Sequence, residues 1–271
     1  MTPAELSRTV VRAVRCAVEA GELSAPVPER VTVRTPPRPG CGDFATNVAL
    51  RLAKDAGRSA HDVAEVLRRR LLREPGVQCV DVAGAGFLNI TLDGAGHAAL
   101  IEELRAITPS PALPLAPPDD LVRRLGPDAA RWSLVTAPGF DRDLLLVQRD
   151  ANPLFRVRYA HARTQALLRN ARDLGFGPQA GDIGADDSAV LLGVLGDRER
   201  IVGASDPVRL ARYLERLADA FLHWHHKCPV LPRGDEKPSA VHRARLALAE
   251  ATGAVLADGL HQLGITAPAH V

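Results

Sequence analysis

The chain has 271 residues, of which 46% are apolar and only 4% aromatic, and its formal net charge is +2 at pH 7. This length suits one large domain or two ordinary ones, and the apolar content is enough for cores built on alanine, valine and leucine. The small net charge neither requires nor excludes a nucleic-acid partner, because binding depends on how the basic residues cluster.

The cysteines and the apolar stretches argue against a secreted, disulfide-stabilised protein and against a membrane protein. The four cysteines, Cys16, Cys41, Cys79 and Cys228, are spaced neither as metal ligands nor as a disulfide framework. No apolar run near the start is long enough for a signal peptide. No stretch reaches the ~20 apolar residues that a membrane span needs. These features predict a cytoplasmic protein without a membrane partner.

The first part of the sequence alternates between helical and extended patterns, which predicts a small α+β domain with a sheet covered by helices on one side. Leu6, Val10 and Val14 recur at helical spacing, and Ser59 is a suitable N-cap for a later helix. Pro36, Pro37, Pro39 and Gly40 form a cluster that breaks regular structure. The predicted helices are 4–22, 43–56, 60–72 and 96–106, and the predicted strands are 31–33, 77–82 and 87–92, the last two forming a hairpin.

The second part of the sequence predicts an all-α helical bundle. Residues 108–118 contain five prolines, which favour an extended, semi-rigid linker. Beyond it the only possible extended piece is 144–147, and Asp186 with Asp187 resembles a cap for the helix that follows. Helices are predicted at 127–136, 153–174, 188–201, 207–226 and 240–263. The predicted domains are therefore residues 1–107, the linker 108–118 and residues 119–271.

The helix that begins at Pro153 carries the most informative pattern. Leu154, Val157, Ala160, Thr164, Leu167, Ala171 and Leu174 form an apolar stripe. Arg158, Arg169 and Arg172 share another face, where guanidinium groups could bind phosphates through bidentate contacts. Tyr159 is suited to stacking on an unpaired base. The alternative is a solvated basic face with Tyr159 packed in the core.

This helix and the sequence after it resemble the anticodon-binding (DALR) domain of arginyl-tRNA synthetases. The similar segments are Asn152 to Arg163, Asp206-Pro207, Tyr213-Leu214, Cys228-Pro229-Val230-Leu231, Arg245 to Leu248, and Gly259-Leu260. The resemblance implies that this domain takes the anticodon stem-loop. The RNA-binding residues that we predict on this basis are Asn152, Arg156, Arg158, Tyr159, His161, Arg163 and Arg169.

The first part resembles the additional N-terminal domain of the same family. Gly42-Asp43-Phe44-Ala45-Thr46-Asn47 and Gly86-Phe87-Leu88-Asn89-Ile90 carry this resemblance. It implies that Phe87 and Asn89 contact a D-loop nucleotide of tRNA, the aromatic ring stacking on the base and the amide pairing with its edge. The alternative places Phe87 in the core and Asn89 in a turn.

The sequence contains no signature of the family's catalytic domain. It has neither a His-x-Gly-His motif nor a Lys-Met-Ser-Lys-like loop, and the proline-rich segment stands where the catalytic domain would be. Without a site for the phosphates of ATP, an aminoacyl-adenylate cannot form. His223, His226 and Cys228 are near one another in sequence, but no further ligand cluster accompanies them. We therefore predict no catalytic residue, no cofactor and no metal.

The predicted function is that of a non-catalytic tRNA-binding protein, with arginine tRNA as the expected species. Pro268-Ala269-His270-Val271 stands where the family usually has an acidic-Arg-Met tail, so strict reading of the anticodon does not follow from the resemblance. Two alternatives stay open. The chain could present tRNA to a separate partner enzyme, or it could be a regulator that no longer binds RNA. The sequence does not predict an oligomeric state.

Overall fold

A computed structural model describes residues 1–36, 41–184 and 188–271 of the chain. Two units, Met1–Leu100 and Ile101–Val271, are each compact within themselves. Most of the predicted breaker cluster (residues 37–40) and the predicted cap (Asp186 with Asp187) lie outside the described residues.

A four-stranded antiparallel sheet with helices forms the first unit, which confirms the predicted α+β class. The strand order is β1-β2-β4-β3, and every neighbouring pair is antiparallel. The elements in chain order are α1 (Pro3–Glu19), β1 (Val33–Arg34), β2 (Phe44–Thr46), α2 (Val48–Leu52), α3 (Ala60–Leu71), β3 (Val77–Ala83), β4 (Phe87–Leu92) and α4 (Gly94–Arg105), whose residues from Ile101 onward belong to the second unit.

The interior strand β4 has side chains on both faces of this sheet. Leu88, Ile90 and Leu92 are buried and belong to the hydrophobic core that α1 and α3 share with the sheet. Because successive side chains of a strand point to opposite faces, Phe87 and Asn89 lie on the other face of the sheet. The predicted contact residues are thereby separated from the core.

The helix predicted at 43–56 is wrong over its first five and its last four residues, because α2 covers only Val48–Leu52. Phe44–Thr46 forms β2, which pairs with β4 so that Phe44 lies opposite Ile90. Asp43 reinforces this pairing, because its amide donates to the carbonyl of Ile90 (2.9 Å) and its carboxylate accepts from the amide of Leu92 (2.8 Å). These contacts come from residues more than forty positions away, and local sequence pattern does not report them.

Helices form the second unit, as predicted. Its elements are α5 (Asp119–Leu125), α6 (Pro127–Ser133), a 3₁₀ helix (Arg142–Leu146), α7 (Pro153–Asp173), α8 (Ala189–Gly196), α9 (Arg198–Val202), α10 (Pro207–Lys227) and α11 (Ala240–Gln262). The 3₁₀ helix replaces the extended piece expected at 144–147. The helix expected at 188–201 is divided into α8 and α9 at Asp197.

Helices α7, α10 and α11 pack against one another and form the centre of the bundle. Two glycines of α11 allow close contact. A Cβ atom at Gly253 would lie 2.4 Å from Oγ1 of Thr164 on α7, and one at Gly259 would lie 2.5 Å from Cδ2 of Leu214 on α10. Because real Cβ contacts are never this short, the absence of a side chain at these positions sets how closely the helices approach.

The proline-rich segment is bonded to α11 within this unit. The amide of Ser110 donates to the carboxylate of Asp258 (2.6 Å), and the amide of Leu113 donates to the carbonyl of Gln262 (2.7 Å). Asp258 is buried and also accepts from the guanidinium of Arg198 (2.8 Å). A buried carboxylate with several charge-assisted donors holds the segment in place.

Among the described residues, no helix is long and apolar enough to cross a membrane.

Candidate nucleic-acid interface

The start of α7 is fixed by the side chain of Asn152. Its Oδ1 accepts from the amide of Phe155 (3.0 Å), and its Nδ2 donates to the carbonyls of Leu145 (3.2 Å) and Val147 (2.9 Å). Pro153 occupies the first turn, where its missing N–H costs nothing. Asn152 is only 4% exposed. Its side chain is therefore engaged in positioning the helix on which the other candidate residues lie.

Tyr159 is the exposed aromatic side chain of this helix. It is 42% exposed, so it lies at the surface and not in the core. Phe155, one turn earlier, stacks with it at 5.9 Å between ring centroids and an interplanar angle of 23°. Two stacked rings at a protein surface provide a ready platform on which an unpaired base can stack.

The four predicted RNA-binding arginines of α7 each touch a polar group outside that helix. Arg163 is exposed, and the other three are half-buried. A guanidinium has five N–H donors, so one partner leaves others for phosphate oxygens. The contacts are Arg156 with Asp219 (3.5 Å), Arg158 with Asp128 (3.7 Å), Arg163 Nε with His225 Nε2 (2.9 Å) and Arg169 with the carbonyl of Ala269 (3.3 Å).

His161 faces the interior of the unit and not the surface. Its Nδ1–H donates to the carbonyl of Pro268 at 2.8 Å, which connects α7 to the residues after α11. Burial lowers the pKa of His161, and the hydrogen bond to Pro268 acts in the opposite direction. A neutral, buried imidazole does not attract phosphate. His161 therefore positions the chain around the candidate surface.

His225 on α10 limits the conformations open to Arg163. Its ring stacks on Phe221 at 5.8 Å with an interplanar angle of 7°, and its Nε2 accepts from Arg163. Burial lowers the pKa of His225, and the nearby positive charges of Arg163 and His226 lower it further. The neutral ring leaves Nε2 free to accept, so the hydrogen bond and the depressed pKa agree.

A pocket of about 420 Å³ lies beside the start of α7. Arg158 and Phe155 line it together with Asp128 and the terminal residues Pro268 and His270. It combines a cation, an aromatic ring and a carboxylate, the kinds of group that hold a nucleobase by stacking and edge hydrogen bonds. The aromatic platform and this pocket share Phe155.

In the first unit, Phe87 and Asn89 lie on the open face of the sheet. Phe87 is 46% exposed and Asn89 is half-buried. Asn89 lies opposite Asp81 on β3 and Ala45 on β2, in the middle of the sheet. The ring and the amide are two positions apart on one strand, so they present a stacking surface and a hydrogen-bonding edge on the same side.

Sequence reasoning did not identify Phe155 as part of the candidate surface. In the sequence it is one residue of the motif from Asn152 to Arg163. Its spacing of four from Tyr159 was the available signal, because side chains four positions apart on a helix are neighbours.

Two domain families match the chain. Residues 5–92 match the arginyl tRNA synthetase N terminal domain, and residues 157–271 match the DALR anticodon binding domain. Similar solved structures include the Thermus thermophilus arginyl-tRNA synthetase, at 26% identity over 66% of this chain and 31% of that one, with a TM-score of 0.41. Another is a Campylobacter jejuni protein provisionally named arginyl-tRNA synthetase, at 20% identity over 56% of this chain and 35% of that one, with a TM-score of 0.46. The chain thus spans about a third of the length of these two proteins.

Proposed function

Since the chain belongs to the arginyl-tRNA synthetase-like proteins, with their N-terminal domain followed by a DALR anticodon-binding domain, we propose that it is a non-catalytic tRNA-binding protein. The observation that carries this proposal is the presence of both domains in one chain, each with an exposed aromatic side chain at the position that the resemblance implies. These are Phe87 in the first domain and Tyr159 in the second.

In this proposal the second domain takes the anticodon stem-loop. Tyr159, supported by Phe155, stacks on an unpaired anticodon base. Arg156, Arg158, Arg163 and Arg169 contact phosphates through the donors that their protein partners leave free. Asn152 and His161 contribute indirectly, because their side chains are engaged in positioning α7 and the residues that pack on it.

The first domain contacts the D-loop through the open face of its sheet. Phe87 stacks on a base and Asn89 pairs with the edge of that base. The antiparallel sheet holds both residues on a rigid strand whose other side is packed in the core. A rigid support suits recognition because little conformational entropy is lost when RNA binds.

A role without catalysis fits the content of the chain. The sequence has no adenylate-forming motif. Within the described residues every strand belongs to the antiparallel N-terminal sheet, which leaves no parallel strands to form a nucleotide-binding crevice. Residues 93–156, between the two matched domains, contain helices and the 3₁₀ helix in the described structure.

The test is a binding titration with three RNAs at two salt concentrations. The RNAs are arginine tRNA, the same tRNA with an exchanged anticodon, and an unrelated tRNA. We expect tight binding to arginine tRNA that weakens as salt rises, and weaker binding to the other two. Equal and weak binding to all three would overturn the proposal.

A further inference from the structure

A shallow groove of about 570 Å³ lies where α9 meets α10, and its lining includes none of the residues that the resemblance implies. Positive charge dominates its walls, because it is lined by four arginines and two acids. The residues are Arg200 and Ile201 from α9, with Arg209, Arg212, Glu215, Arg216 and Asp219 from α10. We refer to this feature as the arginine groove.

Two of its arginines are paired locally and two are not. Arg200 and Arg209 each pair with an aspartate three positions earlier, at 3.2 and 3.4 Å. Arg212 and Arg216 are exposed, and neither forms a salt bridge or hydrogen bond with another residue in the part of the chain that the structure describes. Exposed guanidiniums that form no hydrogen bond or salt bridge to the protein keep all their donors available to a ligand.

The spacing of the α10 arginines places them in a row. Arg209, Arg212 and Arg216 are separated by three and four residues, so they share one face of the helix. The row extends roughly 10 Å along the helix axis, at ~1.5 Å per residue. A row of planar, bidentate donors suits a series of phosphates better than a single small anion.

The arginine groove is continuous with the candidate interface on α7. Asp219 at its end pairs with Arg156 at 3.5 Å, and Arg156 is one of the predicted RNA-binding residues. Glu215 in its wall is half-buried. Burial raises the pKa of Glu215, while the nearby charges of Arg156 and Arg212 lower it. Because Asp219 pairs with Arg156, a ligand that follows the groove would reach the start of α7.

We propose that the arginine groove binds the phosphate backbone of an RNA strand and extends the tRNA-binding surface of the second domain from α7 onto α10. This inference rests on the proposed function and adds to it a second contact region. Ile201 is the only apolar residue of the lining, and it is buried. Without an aromatic ring to stack on bases, the groove contacts RNA independently of sequence.

The experiment compares two doubly substituted proteins that lose the same charge. Arg212→Gln/Arg216→Gln changes the groove, and Arg123→Gln/Arg233→Gln changes two exposed arginines outside it. Each is titrated with arginine tRNA and an unrelated tRNA across several salt concentrations. We expect the groove variant alone to weaken binding of both tRNAs by a similar factor, and to lower the slope of log affinity against log salt by about 1.4 to 1.8.

A third variant should change the affinity for tRNA in the opposite direction. Glu215→Gln removes a negative charge from the groove while keeping the shape of the side chain, so tRNA affinity should rise. If wild-type protein binds tRNA and the groove variant keeps the affinity and salt slope of its matched control, the groove proposal is overturned and the proposed function stands. If wild-type protein binds no tRNA, both are overturned. The groove proposal would also be overturned if an acidic protein bound the wild-type protein but not the groove variant, while the two proteins bound tRNA equally well.

Discussion

Replacing Tyr159 by alanine removes the exposed half of the aromatic platform on α7. The ring is 42% exposed and its described ring contact is the stack with Phe155 at 5.9 Å. A surface aromatic pair of this kind contributes about 0.5–1.5 kcal/mol. The part of the ring that is buried adds less than the ~1.5–3 kcal/mol of a fully buried large apolar side chain. Tyr159→Ala should therefore lower the free energy of unfolding by about 1–3 kcal/mol, leaving the protein folded under binding conditions.

The same substitution should weaken RNA binding. Removing an aromatic side chain that stacks on a base costs about 1–3 kcal/mol per base. With 1.4 kcal/mol for each factor of ten, this corresponds to a roughly 5- to 150-fold weaker affinity for arginine tRNA. Because the substitution removes no charge, the dependence of affinity on salt should not change.

The assay is fluorescence anisotropy of labelled arginine tRNA, with circular dichroism to confirm folding. Tyr159→Phe keeps the ring and should bind almost as well as wild type. Leu174→Ala is the matched control, since Leu174 is an exposed large apolar residue just after the end of the same helix. The reasoning is refuted if Tyr159→Ala binds like wild type, or if Tyr159→Phe loses as much affinity as Tyr159→Ala.

Three further predictions concern other parts of the chain. Phe87→Ala should weaken tRNA binding roughly 5- to 150-fold with little change in thermal stability, because the ring is exposed on the sheet. Gly259→Ala should destabilise the second unit in chemical denaturation, because its Cβ would meet Leu214 at 2.5 Å. The overpacking costs about 1–3 kcal/mol, and the better helix propensity of alanine offsets about 1 kcal/mol of that cost. Burial lowers the pKa values of His161 and His225 below the unfolded value of 6.5, so the free energy of unfolding should fall as pH drops below 6.5.

The first two predictions have matched controls, and the third has a variant that removes the two histidines. Leu72→Ala, at an exposed residue after α3, should leave tRNA binding unchanged. Gly94→Ala has no atom within 4 Å of the added Cβ and should not destabilise the protein. A double variant, His161→Gln with His225→Gln, should lose part of the pH dependence. Equal effects in variant and control, or an unchanged pH profile in the double variant, would contradict the corresponding prediction.

Local signals in the sequence were sufficient for elements whose ends are marked by caps. The start of α7 follows from Asn152 and Pro153, and its end from Gly175, whose φ of +77° suits glycine. The helix predicted from Ser59 is confirmed, because its hydroxyl accepts from the amide of Asp62. The hairpin strand 87–92 is confirmed in full.

Non-local contacts account for most of the differences. Phe44–Thr46 is a strand because β4 pairs with it, and no pattern within the segment reports that partner. Leu174 belongs to the predicted apolar stripe but is 52% exposed, since the helix ends there and Phe176 is buried instead. The arginine groove depends on the packing of α9 against α10, so sequence spacing on α10 alone did not identify it.

For the predicted site residues, the structure reports exposure and internal partners, and RNA contact stays a prediction. The resemblance pointed to Tyr159 and Phe87, and both side chains are exposed. Asn152 and His161 belong to the same motifs, yet their side chains have internal partners. A motif shared by a family contains residues that hold the fold as well as residues that touch a ligand. The burial and hydrogen bonds of each side chain are needed to distinguish them.

The most direct test of tRNA binding through both domains is a backbone-cleavage footprint of arginine tRNA with the wild-type protein. The account predicts protection in two separate regions, the D-loop and the anticodon stem-loop. Phe87→Ala should reduce the first and Tyr159→Ala the second. Protection in neither region, or protection spread evenly along the tRNA and insensitive to both substitutions, would contradict it.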